Sequence, residues 1–540
     1  MAWALLDHRV VPGSSNDAHA HALAPSPFVP GRNCWRTAAA SRVAVLIDAA
    51  AYFDAVVAAV ARAQRSVLIL SWDVDSRTTL AGGCSSRRLG EVLHAALERK
   101  PRLDVHVLNW DFALLYVLER ELFAAYRPDW YAHPRLHFRT DGTHPFGACH
   151  HQKVVVVDDA VAFSGGLDIC SRRWDTPSHD PDDPRRVDLA GAPYPPFHDV
   201  QIAVDGEAAR ALGDLARERW RLATGETLAP PAVRGDPWPG LVAPDFTDVE
   251  VAIARTIPAS NGTPAVREVE TLFGDAIRDA RRWIYAENQY LTWPGLADAL
   301  LERLAEIDGP EVVLVVPREG CGWLEEQTMS MRRARVVERL RAGDRHGRLR
   351  ILAPVVAGDV AVNVHSKVMI VDDTFLRIGS ANLSSRSMAV DTECDVAVAG
   401  TDEDVRTGIG AVRDRLLADH LGVTASEVAS AFAETGSLIE TITRLQGGSH
   451  TLQPLPDRAP GWLDGLPDEV HVFDPAEPID AARLLAEMLP ATLPSPPRSL
   501  RGAATAAAAL LAAIAIGIAL GRLWCRLGPS RPPTRLVRHG

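Results

Sequence analysis

Two histidines and two lysines stand in the same eight-residue frame, once in each half of a 540-residue chain. The first frame is His151-Gln-Lys153-Val-Val-Val-Val-Asp158 and the second His365-Ser-Lys367-Val-Met-Ile-Val-Asp372. Of 57 basic residues only three are lysine, the third being Lys100. A sequence that uses arginine almost everywhere keeps a compact ammonium at these two places, where a planar guanidinium is a poor substitute. Imidazole and ammonium, each supplied twice, suit a phosphodiester. One neutral imidazole can attack phosphorus while the other, protonated, donates to the departing alkoxide. The lysines, backbone N–H groups and the side chains of Ser380 or Asn382 can hold the non-bridging oxygens as charge builds. Histidines that start in different protonation states predict a bell-shaped pH dependence. Asp199 and Glu393 are the natural orienting partners, each fixing the tautomer of one histidine. Asp158 and Asp372 complete the catalytic motif; as acids at strand ends they read as structural, pairing with backbone or lysine.

The duplication extends beyond the two frames. Seven residues after each aspartate come Gly165-Gly166-Leu167-Asp168 in the first copy and Gly379-Ser380-Ala381-Asn382 in the second. Each copy then reaches an acid followed by an apolar stretch, Asp199–Val204 and Glu393–Val398. Tyr52–Ser71 predicts an amphipathic helix leading into the strand Ser66–Ser71, and Val269–Glu287 repeats that plan with the strand Trp283–Glu287. A period of this size calls for two units of roughly 190 residues each. Val154–Val157 and Val368–Val371 are short, uninterrupted and almost wholly β-branched, as buried central strands are. His and Lys two apart leave the same face at the start of such a strand. Val105–Leu108 and Val312–Val316 are further strands, alternating with helices over Gly90–Glu98 and Glu325–Arg341. That alternation predicts an α/β class, each repeat a mixed sheet flanked by helices.

Composition narrows the function. The formal net charge is −12, a poor footprint for a nucleic-acid binder. Seven cysteines are scattered without a C-x-x-C pair, which points to reduced thiols and no metal site or cofactor. The first 33 residues lack a basic stretch followed by an apolar core and read as a loose arm rather than a signal peptide. Gly502–Gly521 is twenty residues without a charge, ten of them alanine, with Arg498 and Arg501 before it and Trp524 and five arginines after it. That length spans a bilayer core and the flanks suit an interface anchor. The expectation is a membrane-associated protein with a single C-terminal span and its catalytic region in the cytoplasm.

The chain resembles the phospholipase D superfamily, whose signature is a duplicated H-x-K-x4-D followed by G-[SG]-x-[ND]. The resemblance covers about residues 36–422. Ser71-Trp-Asp-Val-Asp-Ser76, Thr143–His151, Arg173-Trp-Asp-Thr176, Ile284–Tyr290 and Ala418-Asp-His-Leu-Gly422 resemble the phosphatidylcholine-type branch in particular. The resemblance implies a pseudo-two-fold pair of repeats with one shared active site, a covalent phosphohistidine, net retention at phosphorus and no metal. It makes His151 the nucleophile, His365 the general acid, and Lys153, Lys367 and Asn382 phosphate ligands. Asp168, standing where the second copy has Asn382, cannot donate a hydrogen bond when ionised. Gly165, Gly166, Ser380 and Trp174 are the further substrate-contact candidates, and Trp72, Trp110, Tyr290 and Trp293 join Trp174 as candidates to line a lipid-binding mouth.

The organisation expected is therefore an arm at 1–35, repeat one at 36–245, repeat two at 246–425, a Pro-rich acidic linker at 426–501, the span at 502–521 and an Arg-rich tail at 522–540. The partners expected are a phospholipid and a membrane, with no nucleic acid, and a monomer suffices to build the site. The leading function is hydrolysis of a glycerophospholipid to phosphatidic acid and free headgroup alcohol, with transphosphatidylation when an alcohol outcompetes water. A cardiolipin synthase-type transfer is the rival within the superfamily, and a catalytically silent membrane-tethered scaffold the rival outside it.

Overall fold

The computed structural model describes residues 26–80, 87–111, 128–145, 147–232, 235–260, 262–320, 323–458 and 474–478. The expected span at 502–521 and the Arg-rich tail lie outside the described residues. No helix among the described residues is long and apolar enough to cross a membrane.

A 17-stranded mixed sheet runs through the molecule, with helices packed on it. In the first half, Ser66–Ser71, Asp104–Trp110 and Leu136–Asp141 pair in parallel, the arrangement that requires helical crossovers. Ser66–Ser71 then pairs antiparallel with Val154–Val157, which continues through Val161–Gly165 and Val200–Asp205 to Arg36–Ile47. The second half pairs in the same order. Trp283–Asn288, Glu311–Val315 and Leu349–Val356 are parallel. Lys367–Val371, Phe375–Gly379, Glu393–Ala399 and Phe246–Ile257 follow antiparallel. The seam between halves is the antiparallel pair of Arg36–Ile47 with Phe246–Ile257.

The predicted strands and helices are present within a few residues: helices at Asp48–Arg62, Leu89–Arg99, Glu268–Asp279 and Trp323–Gly343, strands at the positions above. All four valines of Val154–Val157 are buried, as the unbroken β-branched run requires. One apolar cluster draws on both halves, joining Val154, Ile202 and Leu212 to Val368, Val396 and Leu416. Each half adds a cluster of its own.

Two ends of the expected organisation differ from the structure. Phe28 and Cys34, in the expected arm, are buried, and Arg32 and Asn33 both donate to Asp275 of the second half. Residues 426–454, expected as linker, form helices Ala425–Thr435 and Leu438–Leu445 and the strand Thr451–Pro454, which pairs with Leu349–Val356. Val428, Leu438, Ile442 and Leu452 enter the shared apolar cluster, which is why the segment folds back.

Candidate active site

Each motif ends in a tight turn. Asp158-Asp159 and Asp372-Asp373 all have φ between 52° and 56°, and Ala160 and Thr374 donate back across their turns to Val157 and Val371. Two successive left-handed residues make a hairpin turn whose twist matches the flanking strands, and aspartate tolerates that conformation. The Asp158 carboxylate accepts N–H bonds from Gln64, Arg65 and Ser66 at 2.7–2.9 Å. Asp372 does the same for Arg281, Arg282 and Trp283. Both are spent on clamping the start of the neighbouring strand, the structural role, with backbone rather than lysine as partner.

At the other end of these strands the four motif side chains meet, and their carboxylate partners come from the opposite half. His151 Nδ1 lies 3.0 Å from Glu393 Oε2, and His365 Nδ1 lies 2.6 Å from Asp199 Oδ2. The backbone crosses as well: His151 N donates to Thr392 O, and His365 N to His198 O. Holding each Nδ1 on a carboxylate leaves Nε2 of both rings for chemistry. Gly166 is forced by this arrangement, since a Cβ there would stand 2.1 Å from Asp199 Oδ1. At the matching place Ser380 Oγ donates to Glu393 Oε2 at 2.5 Å. Gly165 likewise admits no side chain, because Val200 O and Gln201 Oε1 occupy the space.

The two lysines are held differently. Lys153 Nζ sits 3.3 Å from Asp168 Oδ2 and 5.8 Å from the Trp72 ring centroid. Asp168 also accepts from Ser71 Oγ and the N–H groups of Trp72 and Asp73. Burial works against the ionised carboxyl of Asp168, but Lys153 and the Ser71 hydroxyl outweigh it and hold its pKa below the ordinary range. Lys367 Nζ donates to Gln289 Oε1 at 3.1 Å and to His365 O at 2.5 Å. Full burial pushes the Lys367 ammonium down to about 7, against the pull of Asp199. Burial also drives the His365 imidazole well below its ordinary value, helped by the charges of Lys367, Arg173 and Lys153. The same burial raises Asp199 to about 7. The two face each other at 2.6 Å, and burial drives both toward their neutral forms.

Residues 137–230 match the family described as phospholipase D, and residues 274–406 the family described as cardiolipin synthase, PLD-like domain. The chain belongs to the phospholipase D superfamily. It is 26% identical over 396 residues to phospholipase D alpha 1 of Ricinus communis, covering 51% of this chain and 49% of that protein. Phospholipase D delta of Arabidopsis thaliana is 26% identical over 476 residues, covering 61% of this chain and 54% of its own. The chain thus spans about half the length of the curated relatives it matches. A solved phosphatidylserine synthase of Haemophilus influenzae overlays with a TM-score of 0.49 at 15% identity, covering 69% of this chain and 86% of that one.

In this phospholipase D superfamily site the remaining candidates fall into place unequally. Asn382 is buried, and its Oδ1 has no hydrogen-bond partner among the described residues. Trp174, expected to contact substrate, is 6% exposed in the apolar cluster of the first half, with the Arg185 guanidinium 4.7 Å over its ring. Trp72 presents an edge to His151 at 6.3 Å and stacks on Trp110 at 5.7 Å. Trp293 packs against the second half's cluster. Reasoning from sequence passed over Gln289 and Arg173, although both lie inside the motifs that carried the resemblance.

It also passed over a buried group able to hold a cation. One donor atom each from Asp48, His179, His198 and Asp419 lie within 4.8 Å of one another. The outer ring nitrogens rest on further carboxylates, His179 Nδ1 on Asp175 at 3.0 Å and His198 Nε2 on Glu287 at 2.9 Å. Carboxylate-backed imidazoles facing two carboxylates make a donor set that suits a divalent metal. His198 Nδ1 lies 3.0 Å from Asp48 Oδ1 and 3.1 Å from Asp419 Oδ2, and His179 Nε2 lies 3.2 Å from Asp419 Oδ2, so the imidazoles themselves pair with both carboxylates. Four distant segments supply these atoms, so no local spacing announces them, and the expectation of no metal site does not follow from the cysteine pattern.

Proposed function

We propose that the chain is a phospholipase D acting on a glycerophospholipid such as phosphatidylcholine. The observation that carries this is the crosswise pairing of His151 with Glu393 and His365 with Asp199, flanked by Lys153 and Lys367. Two tandem repeats related by a pseudo-two-fold, 36–245 and 246–425, each complete the other's histidine. Neither alone forms a site.

His151, the slightly more exposed side chain of the two, attacks phosphorus through Nε2 while Glu393 holds its Nδ1–H. The bond to the headgroup oxygen breaks, and His365 delivers a proton to that oxygen. Cations around His365 make it a strong acid once protonated, and the incoming phosphodiester anion supplies the charge that keeps it protonated. Water, deprotonated by His365, then cleaves the phosphorus–nitrogen bond and releases phosphatidic acid. An alcohol in place of water gives the phosphatidylalcohol. Lys367 and Lys153 hold the non-bridging oxygens, with Asn382 beside them. The match of residues 274–406 to a cardiolipin synthase-type domain favours one second reading, in which phosphatidylglycerol is the acceptor. The catalytic part works at a membrane surface, and the segment 502–521 serves as its single span from the cytoplasmic side.

Detergent-solubilised protein is given phosphatidylcholine and a little primary alcohol, alongside His151→Ala and His365→Ala. Phosphatidic acid and phosphatidylalcohol from the wild type and from neither variant is the expected result. No turnover of phosphatidylcholine retires that substrate. Cardiolipin from phosphatidylglycerol then supports the transfer reading, and silence on both lipids and on single-stranded DNA supports the scaffold.

A further inference from the structure

The excursion from Asp168 to Asp199 contains a small hairpin that the chemistry above does not use. The run Leu189-Ala-Gly-Ala-Pro-Tyr-Pro-Pro-Phe197 carries no charge. Val187 and Leu189 are each 42% exposed, and Ala190, Gly191, Ala192, Pro193 and Pro195 are exposed with them. Val187 bridges Pro193 to close the hairpin. Asp188 N donates to Ala192 O at 2.8 Å, and Gly191 N to Asp188 O at 2.9 Å. The Asp188 carboxylate accepts from Ala190 N and Ala192 N, both at 2.9 Å. The tip therefore presents apolar atoms while the amides of residues 188 and 190–192 are already hydrogen-bonded. That combination removes the main cost of placing irregular backbone against lipid.

The base of the hairpin is rigid and leads to the site. Arg186, 1% exposed, donates to Tyr194 O and Asp175, and Tyr194 Oη donates to Trp174 O. The outgoing arm pairs Phe197 and His198 with Asn363 and Val364, and its next residue is Asp199, the partner of His365. Two outward guanidiniums flank the tip: Arg172, 60% exposed on Asp188, and Arg185, 59% exposed on Asp183. A tip whose one carboxylate, Asp188, is spent on Arg172 and on the tip's own amides, with outward, ion-paired Arg172 and Arg185 at its shoulders, is complementary to the interface of a phospholipid bilayer, where apolar atoms meet acyl chains and lipid phosphates compete for the guanidiniums.

We infer that the hairpin Val187–Pro193 docks the protein on the phospholipid surface and seats the histidine pair over it. The inference rests on the phospholipase D reading for its purpose but not for its test. Full-length Val187→Glu/Leu189→Glu is compared with wild type on phosphatidylcholine vesicles and on short-chain phosphatidylcholine dispersed as monomers. Vesicle turnover is expected to fall about tenfold or more while monomer turnover stays within about twofold, because only the first requires the interface. In parallel, amide hydrogen exchange over residues 187–194 is expected to slow when phosphatidylcholine vesicles are added to the wild type, and not in the variant. Equal loss on both substrates, unchanged vesicle turnover, or exchange that ignores vesicles each overturns the inference. A wild type inactive on both lipids retires the phospholipase D reading instead, and the exchange measurement alone then decides the docking. The exchange readout is local to the hairpin, so attachment through another part of the chain does not mimic it.

Discussion

The two halves build one motif on the same strand order, yet they finish it with different partners. Around His151 stand Glu393, a Ser380 hydroxyl bound to that glutamate, and a lysine neutralised by Asp168. Around His365 stand Asp199, a glycine that leaves room for it, and a lysine that donates to neutral acceptors, Gln289 Oε1 and His365 O. The first lysine brings its own counter-charge, so its neighbourhood is close to neutral before substrate arrives. The second donates to no carboxylate among the described residues and feels Asp199 only through space, which does not offset its burial, and an anion is what completes it. A duplicated catalytic unit thus becomes asymmetric through its partners rather than through the motif.

The largest effect tests that asymmetry at the histidines. Both alanine variants are expected to lose about 10^4-fold or more on phosphatidylcholine, as members of one catalytic unit do. They part company on a p-nitrophenyl phosphodiester, whose leaving group needs no proton. His365→Ala is expected to recover a burst of nitrophenol and to trap phosphohistidine, whereas His151→Ala gives neither. The opposite pattern would exchange their roles and leave the crosswise geometry intact.

The lysines separate next. Lys367→Met is expected to lower kcat/KM about 100-fold or more with little change in melting temperature, since it removes an anion ligand from an already costly position. Lys153→Met leaves Asp168 buried without its cation and is expected to cost about 3–5 kcal/mol of stability. Adding Asp168→Asn should recover most of that loss, a coupling readable in a double-mutant cycle. pH sharpens the contrast. Burial holds the Lys367 ammonium near 7, so its charge is present below that pH and lost as pH rises through it. kcat/KM is therefore expected to fall above about pH 7, and the alkaline limb of kcat to lie higher, because bound phosphate stabilises the ammonium. An alkaline limb of kcat/KM two or more units higher would mean that Lys367 is better solvated than its burial indicates.

Much of this was legible because it was local. Unbroken valines gave the central strands, and histidine and lysine two apart gave the common face. Matched places in the two copies gave Asp199 and Glu393 as the imidazole partners, though not that each serves the histidine of the other half. That crossing depends on the antiparallel seam of Arg36–Ile47 with Phe246–Ile257, a pairing 200 residues apart that periodicity does not encode. The folded segment at 426–454 was hidden because it was read as one piece with the Pro-rich acidic stretch that follows it, although its own apolar residues face the shared cluster. Trp174 was drawn toward the substrate by its neighbours in sequence, whereas its ring belongs to the core. The buried group of Asp48, His179, His198 and Asp419 needed four segments to converge, which the fold alone brings about.

The smallest effect concerns Ser380 and Gly166, matched places where the halves differ by a hydroxymethyl group. Ser380→Gly removes a hydroxyl that donates to Glu393 and accepts from Cys394 N. It is expected to cost about 1 kcal/mol of stability and only a few-fold in kcat, because Glu393 keeps its hold on His151. Gly166→Ser is not the mirror of that change. Its Cβ would stand 2.1 Å from Asp199 Oδ1, so the carboxylate must move away from His365. The expected result is a loss in kcat well beyond that of Ser380→Gly, with the deficit following His365: on the p-nitrophenyl substrate the burst of nitrophenol returns while steady turnover stays slow. Equal effects of the two swaps would mean that Asp199 has room to move, and that glycine is present for the backbone rather than for the acid beside it.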